Sequence, residues 1–140
     1  MLRAVLDTNV YVAALLSRDG SPATIVRALA DGAFDAVVCP TLMAELRTVL
    51  ARPKIAERVS GETAEQFAAW LERSAVCATE PEAIDPVSPD PGDDYLIALA
   101  REAGATFVVS GDAHLLGIAL SLPAAIYPAS FATLLEALEL

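Results

Sequence analysis

Ala4-Val5-Leu6-Asp7-Thr8-Asn9 is an apolar run that closes on an acid and two polar residues. Such a run reads as a strand buried on both faces of a parallel sheet. Leu2 to Leu6 is therefore the first expected strand, with Asp7 at its carboxyl end. Phe107-Val108-Val109-Ser110-Gly111-Asp112 repeats the pattern near the other end of the chain, with Asp112 in the equivalent place. In an open parallel sheet the carboxyl ends of the strands line the binding crevice, so both acids are expected at one edge.

Between these strands the apolar spacing switches to a helical period. Val10 to Ser17 is expected to be helical, with Val10, Ala13, Ala14 and Leu16 facing inward. Ser21-Pro22 starts a second helix and Asp31-Gly32 stops it. Asp35 to Cys39 reads as strand two, and a helix from Pro40-Thr41 to about Ala51 buries Leu42, Leu46, Val49 and Leu50. Short helical stretches over Lys54–Val59 and Thr63–Arg73 precede a third strand over Ala75–Ala78. Residues 80–92, rich in Pro and acids, read as a surface loop. A helix then runs from Asp90-Pro91 to Ala103, with Leu96, Ile97, Leu99 and Ala100 inward and Gly104 as its cap. Asp112 starts a short helix through Leu116, Ala125–Tyr127 is the fifth strand, and Ser130–Leu138 is the last helix. Strands alternating with helices predict an α/β chain with parallel βαβ units and helices on both faces of the sheet.

Two further acids join Asp7 and Asp112. Glu45 lies near the start of its helix, beside the core positions Leu42 and Leu46, which places it near the buried face. Asp94 has Ile97 and Ala98 at i+3 and i+4 and takes the inward face; Asp93 fits a helix-start role. Taken singly, each acid also reads as a helix cap or a favourable partner of a helix dipole. Together in one crevice they repel one another, and a cation must compensate them. Oxygen donors suit Mg²⁺ or Mn²⁺. His114 is near enough to Asp112 to be considered as a base, but the chemistry does not require it. No Ser-His-Asp or Cys-His arrangement and no Gly-rich phosphate loop is legible.

Composition bounds the rest. The chain has 140 residues, fit for one domain over 1–140, and 55% are hydrophobic. That exceeds the usual 45–50% or so and promises an ample core. No apolar run is long enough for a membrane span, and the N-terminus lacks the features of a signal peptide. Cys39 and Cys77 lie in apolar segments and are expected as two buried, reduced thiols, which points to the cytoplasm. A net charge of −10 argues against nonspecific polyanion binding.

Val5-Leu6-Asp7-Thr8-Asn9-Val10, Glu45, Asp93-Asp94-Tyr95-Leu96-Ile97-Ala98-Leu99-Ala100 and Val108-Val109-Ser110-Gly111-Asp112-Ala113-His114-Leu115-Leu116 resemble PIN domains. The likeness is greatest to the VapC-like toxins of type II toxin–antitoxin systems. It implies a three-layer α/β/α fold around a central parallel sheet of about five strands. It also implies a Mg²⁺- or Mn²⁺-dependent endoribonuclease that leaves a 5′-phosphate and a 3′-hydroxyl. Asp7, Glu45, Asp94 and Asp112 correspond to the family's catalytic, metal-binding acids, and Thr8, Asn9, Asp93 and Ser110 to supporting positions. A homodimer and a cognate antitoxin are implied as well.

The acidic balance departs from what an RNA-binding protein should show. Arg47, Arg52, Lys54 and Arg58 are the one dense basic group, and they are the candidate RNA contacts. They also suit a solvated helix end. The competing function is a non-catalytic PIN-fold binding module acting through a protein partner or RNA. A receiver domain would need a Lys after the last strand, but the one Lys is Lys54. A haloacid-dehalogenase-type phosphatase would need an acid at position 9, where Asn9 stands.

Overall fold

Arg3–Leu6 forms β1, and Ala4, Val5 and Leu6 are fully buried. The strand is flanked on both sides, which is why its run carries no polar alternation. The computed structural model describes residues 1–82, 84, 91–112, 116 and 123–139, with 91–93 as helix backbone. In chain order α1 (Thr8–Leu16), α2 (Ser21–Ala30) and β2 (Asp35–Val38) follow β1. Next come α3 (Pro40–Leu50), α4 (Pro53–Ala56), α5 (Gly61–Ser74) and β3 (Val76–Cys77). The last described elements are α6 (Pro91–Glu102), β4 (Phe107–Val109), β5 (Ala124–Ile126) and Pro128–Leu138, here α7.

The sheet has five strands in the order β3-β2-β1-β4-β5. Every pairing is parallel, with Arg3 opposite Asp35, Leu6 opposite Val109, Val38 opposite Cys77 and Val109 opposite Ile126. The chain first winds outward from β1 through β2 to β3, then crosses back to β4 and β5. The order therefore reverses between β1 and β4, the place where open α/β sheets form their crevice. Right-handed crossovers in opposite directions put their helices on opposite faces, which gives the three-layer α/β/α arrangement. On one side α1 packs on α2 and α3, α3 on α5, and α2 on α7, while α6 lies against β1 and β4. Phe131 of α7 meets Phe34 and Phe107 edge-on at centroid distances of 5.2 and 5.9 Å, which ties the last helix to the core.

Two local devices aim the chain at the site. Gly104 ends α6 with φ +69°, and Ala105 N–H bonds the Ala100 carbonyl at 2.8 Å while Gly104 N–H bonds that of Arg101 at 3.3 Å. This Schellman turn needs a residue that tolerates the left-handed region, and it feeds β4 directly beside β1. At α3 the N-cap residue Cys39 supplies no side-chain bond. Glu80 does so from beyond β3: its carboxylate accepts Thr41 N–H at 2.5 Å and Thr41 Oγ1–H at 2.6 Å.

Several expectations are corrected. α1 begins at Thr8 rather than Val10, because Asp7 caps it, and its buried residues are Thr8, Val10, Tyr11 and Val12 rather than Ala13, Ala14 and Leu16. α7 begins at Pro128 rather than Ser130, with proline in the first turn where its missing N–H costs nothing. Cys39 is buried as expected, but Cys77 is exposed. β3 is a two-residue edge strand with a single neighbour, so it lacks the cover that the core strands have. The Asp112 carbonyl accepts Leu116 N–H at 3.2 Å, the bond of a first helical turn, but 113–115, and with them His114, lie outside the described residues. Residues 83 and 85–90 of the expected loop also lie outside them.

Candidate active site

Asp7 sits at the carboxyl end of β1 and is only 8% exposed. Its N–H continues the sheet ladder by donating to the Val109 carbonyl at 2.9 Å, so β4 fixes where its side chain starts. Three neutral donors hold the carboxylate. Ser110 Oγ–H donates to Oδ2 at 2.9 Å, and Thr8 Oγ1–H and Asn9 N–H approach Oδ1 at 3.4 and 3.5 Å. Among the described residues no cationic side chain pairs with it. A carboxylate buried this way carries a desolvation cost that its hydrogen bonds must offset.

Ser110 is fully buried just past β4 and joins two of the expected acids. It donates to Asp7 and accepts the Asp112 N–H at 3.0 Å. One hydroxyl thus sets the Asp7 carboxylate and the backbone from which the Asp112 side chain departs. Thr8, 2% exposed, lies under Asp7. Asn9 is exposed at the mouth.

The remaining acids come from α6 and α3. Asp94 is 5% exposed in the first turn of α6, the helix that lies against β1 and β4. Asp93 is in the same turn, and its side chain lies outside the described residues. Glu45 is exposed rather than near-buried, because its position on α3 turns away from the face that Leu42 and Leu46 bury. It is nevertheless held: Tyr95 Oη–H donates to its Oε2 at 2.7 Å. Burial, that hydrogen bond, and the charges of Glu45, Cys39 and Asp7 push the Tyr95 hydroxyl well above the usual phenol range. Tyr95 thus links α6 to Glu45 on α3. Its local pattern carries no sign of this role, since a tyrosine on an apolar helix face reads as core.

Hydrogen bonding thus makes two units, Asp7–Ser110–Asp112 and Glu45–Tyr95 with Asp94 adjacent in sequence. Among the described residues no three acid, His or Cys side chains are gathered into a ready-made metal cage.

The basic group divides. Arg47 is engaged by Glu65 at 3.1 Å and by Glu72, tying α3 to α5. Arg58 donates to the Leu16 carbonyl at 2.9 Å and closes the end of α1. Arg52 and Lys54 instead rim a surface hollow with Asn9, over a floor of Val12, Val49, Pro53 and Ile55. Through Asn9 this hollow adjoins the Asp7 site.

The PIN domain family model matches residues 3–114, from β1 to just past Asp112. No curated protein sequence matches the chain significantly. Among solved structures it is similar to PAE2754 from Pyrobaculum aerophilum, with 16% identity and a TM-score of 0.65 over 98% of this chain and 90% of that one. VapBC2 from Rickettsia felis, solved with a DNA fragment from its promoter, gives 13% identity and 0.61 over 90% and 98%. VapC20 from Mycobacterium tuberculosis, a sarcin-ricin-loop-cleaving toxin, gives 18% and 0.54 over 83% and 96%. At these identities the structures speak for the fold, and the family match runs through every strand but the edge strand β5. The match over residues 3–114 carries the conclusion: the chain belongs to the PIN domain family.

Proposed function

We propose that the chain is a metal-dependent endoribonuclease, the toxin of a toxin–antitoxin pair, acting as a single domain over 1–140. The observation that carries this reading is the buried Asp7 carboxylate at the sheet's switch point, held by neutral donors alone among the described residues. A hard divalent cation suits that carboxylate, and the acids proposed beside it offer oxygen donors. Mg²⁺ commonly binds through one or two carboxylates and completes its shell with water and substrate phosphate. That habit needs no closed protein cage.

Asp7, Asp94, Asp112 and Glu45 are the residues proposed to hold Mg²⁺ or Mn²⁺. Such an ion, when bound, supplies Lewis-acid polarisation of a phosphodiester and a water of lowered pKa. Ser110 and Thr8 keep Asp7 from turning away. Asp94 is buried on the helix that lies against β1 and β4, and Glu45 is the exposed carboxylate of the four. Asn9 leads outward to Arg52 and Lys54, which would contact the RNA backbone beyond the cleaved bond. The VapC20 neighbour supports an RNA substrate and the VapBC2 neighbour an antitoxin partner. The homodimer and the cytoplasmic setting rest on family resemblance. No described helix is long and apolar enough to cross a membrane.

The test is cleavage of total RNA by the purified chain with Mn²⁺, Mg²⁺ or EDTA, beside Asp94→Asn. Cleavage that needs metal and disappears in the folded variant is expected. Full activity of folded Asp94→Asn would remove Asp94 from the site. Metal binding without cleavage of any RNA would favour the non-catalytic binding module.

A further inference from the structure

We infer that Tyr95 is a positioning residue that holds Glu45 in place for the metal, an inference that rests on the carboxylate–metal reading above. Glu45 is an exposed glutamate on α3, and an exposed glutamate samples many rotamers. Among the described residues Tyr95 is its one hydrogen-bond donor, at 2.7 Å to Oε2. The donor is itself fixed: the Tyr95 ring is half-buried and packed against the core, so its hydroxyl occupies one place. Tyr95 also directly follows the buried Asp94 on α6. The bond therefore spans two layers of the site, from the helix that carries Asp94 to the helix that carries Glu45. It restricts Glu45 through Oε2 and leaves Oε1 for a ligand. Outer partners of this kind orient ligating carboxylates and raise metal affinity without touching the metal.

The test uses Mn²⁺ alone as the probe, titrated into the metal-free chain by calorimetry. Tyr95→Phe keeps the ring and its packing and removes one oxygen, and circular dichroism checks that the variant folds. Loss of such an outer partner typically weakens metal binding by about 10–100-fold. Tyr95→Phe is expected to weaken Mn²⁺ binding by about tenfold. Its RNA cleavage is expected to need correspondingly more Mn²⁺ and to return towards the wild-type rate at saturation. In a Glu45→Ala background the tyrosine change is expected to add no further loss, because it acts through Glu45. Equal Mn²⁺ affinity of wild type and Tyr95→Phe would overturn the inference and leave the carboxylate–metal reading standing. The same loss with and without Glu45 would also overturn it. A wild-type chain that binds no Mn²⁺ would overturn the underlying reading and this inference with it.

Discussion

Replacing Asp7 by Asn separates a carboxylate kept for the fold from one kept for a cation. As the cap of α1, Asn is as good as Asp. The strong Ser110 bond at 2.9 Å would pass from a charged to a neutral acceptor, at a cost of about 1–2 kcal/mol; the bonds at 3.4 and 3.5 Å contribute less. Against this, the variant no longer buries an ion at 8% exposure, and the penalty relieved is at least as large, on the order of several kcal/mol for a well-buried charge. Metal-free Asp7→Asn is therefore expected to be as stable as wild type or more so, in urea unfolding followed by circular dichroism in EDTA. Adding Mn²⁺ at about a hundred times its dissociation constant stabilises a one-site protein by about 2.7 kcal/mol. Wild type should show that gain and the variant should lose most of it, along with RNA cleavage. If Asp7→Asn instead loses about 3 kcal/mol or more in EDTA, or gains from Mn²⁺ as much as wild type, the carboxylate is a structural element and the reasoning fails.

Three other expectations follow from side chains around the site. Glu80→Ala removes the cap of α3 and should cost about 1 kcal/mol at neutral pH. The hydrogen bond from Thr41 holds the Glu80 carboxyl below its ordinary value of 4.5. With the folded value depressed, its contribution is complete above the ordinary value of 4.5 and is lost as pH falls through the lowered one. The difference between wild type and Glu80→Ala should therefore shrink in acid, and a gap that persists unchanged well below pH 4.5 would contradict the assignment. Arg52→Ala and Lys54→Ala should each weaken RNA binding and lower the salt slope by about 0.7 for a single-stranded ligand, measured by fluorescence anisotropy over a salt series. Arg47→Ala should leave that slope alone and lower stability by about 1 kcal/mol at most, since its exposed ion pairs are with Glu65 and Glu72.

The strands were legible because burial on both faces writes itself as an uninterrupted apolar run, as in Ala4-Val5-Leu6. The inward face of α6 was legible too, since Leu96, Ile97, Leu99 and Ala100 keep the helical period and are all buried. The placement of Asp94 on that face followed from the same spacing. What escaped depends on contacts between elements distant in sequence. Glu45 and Leu46 are adjacent in sequence, but a helical turn sends one to solvent and the other to the core. Its bond to Tyr95 crosses 50 positions and leaves no trace in either local pattern. Glu80 reaching Thr41 is another such contact, and so is the sorting of the basic group, where Arg47 finds acids on α5 that no reading of its own helix reveals. Cys77 was misjudged because composition does not say that a strand is at the edge of its sheet.

The Ser110–Asp7 bond joins residues 103 positions apart, and β1 remains without its β4 neighbour until that part of the chain exists. Contacts of such long range form late, because loop closure must precede them. Synthesis proceeds at about 5–20 residues per second, so a nascent chain spends seconds with Asp7 already made and its partner strand not yet translated. A ribosome-bound or truncated chain that stops before Phe107 has the first acid but no pocket to set it in. The order of translation thus delays assembly of this site until β4 has been made.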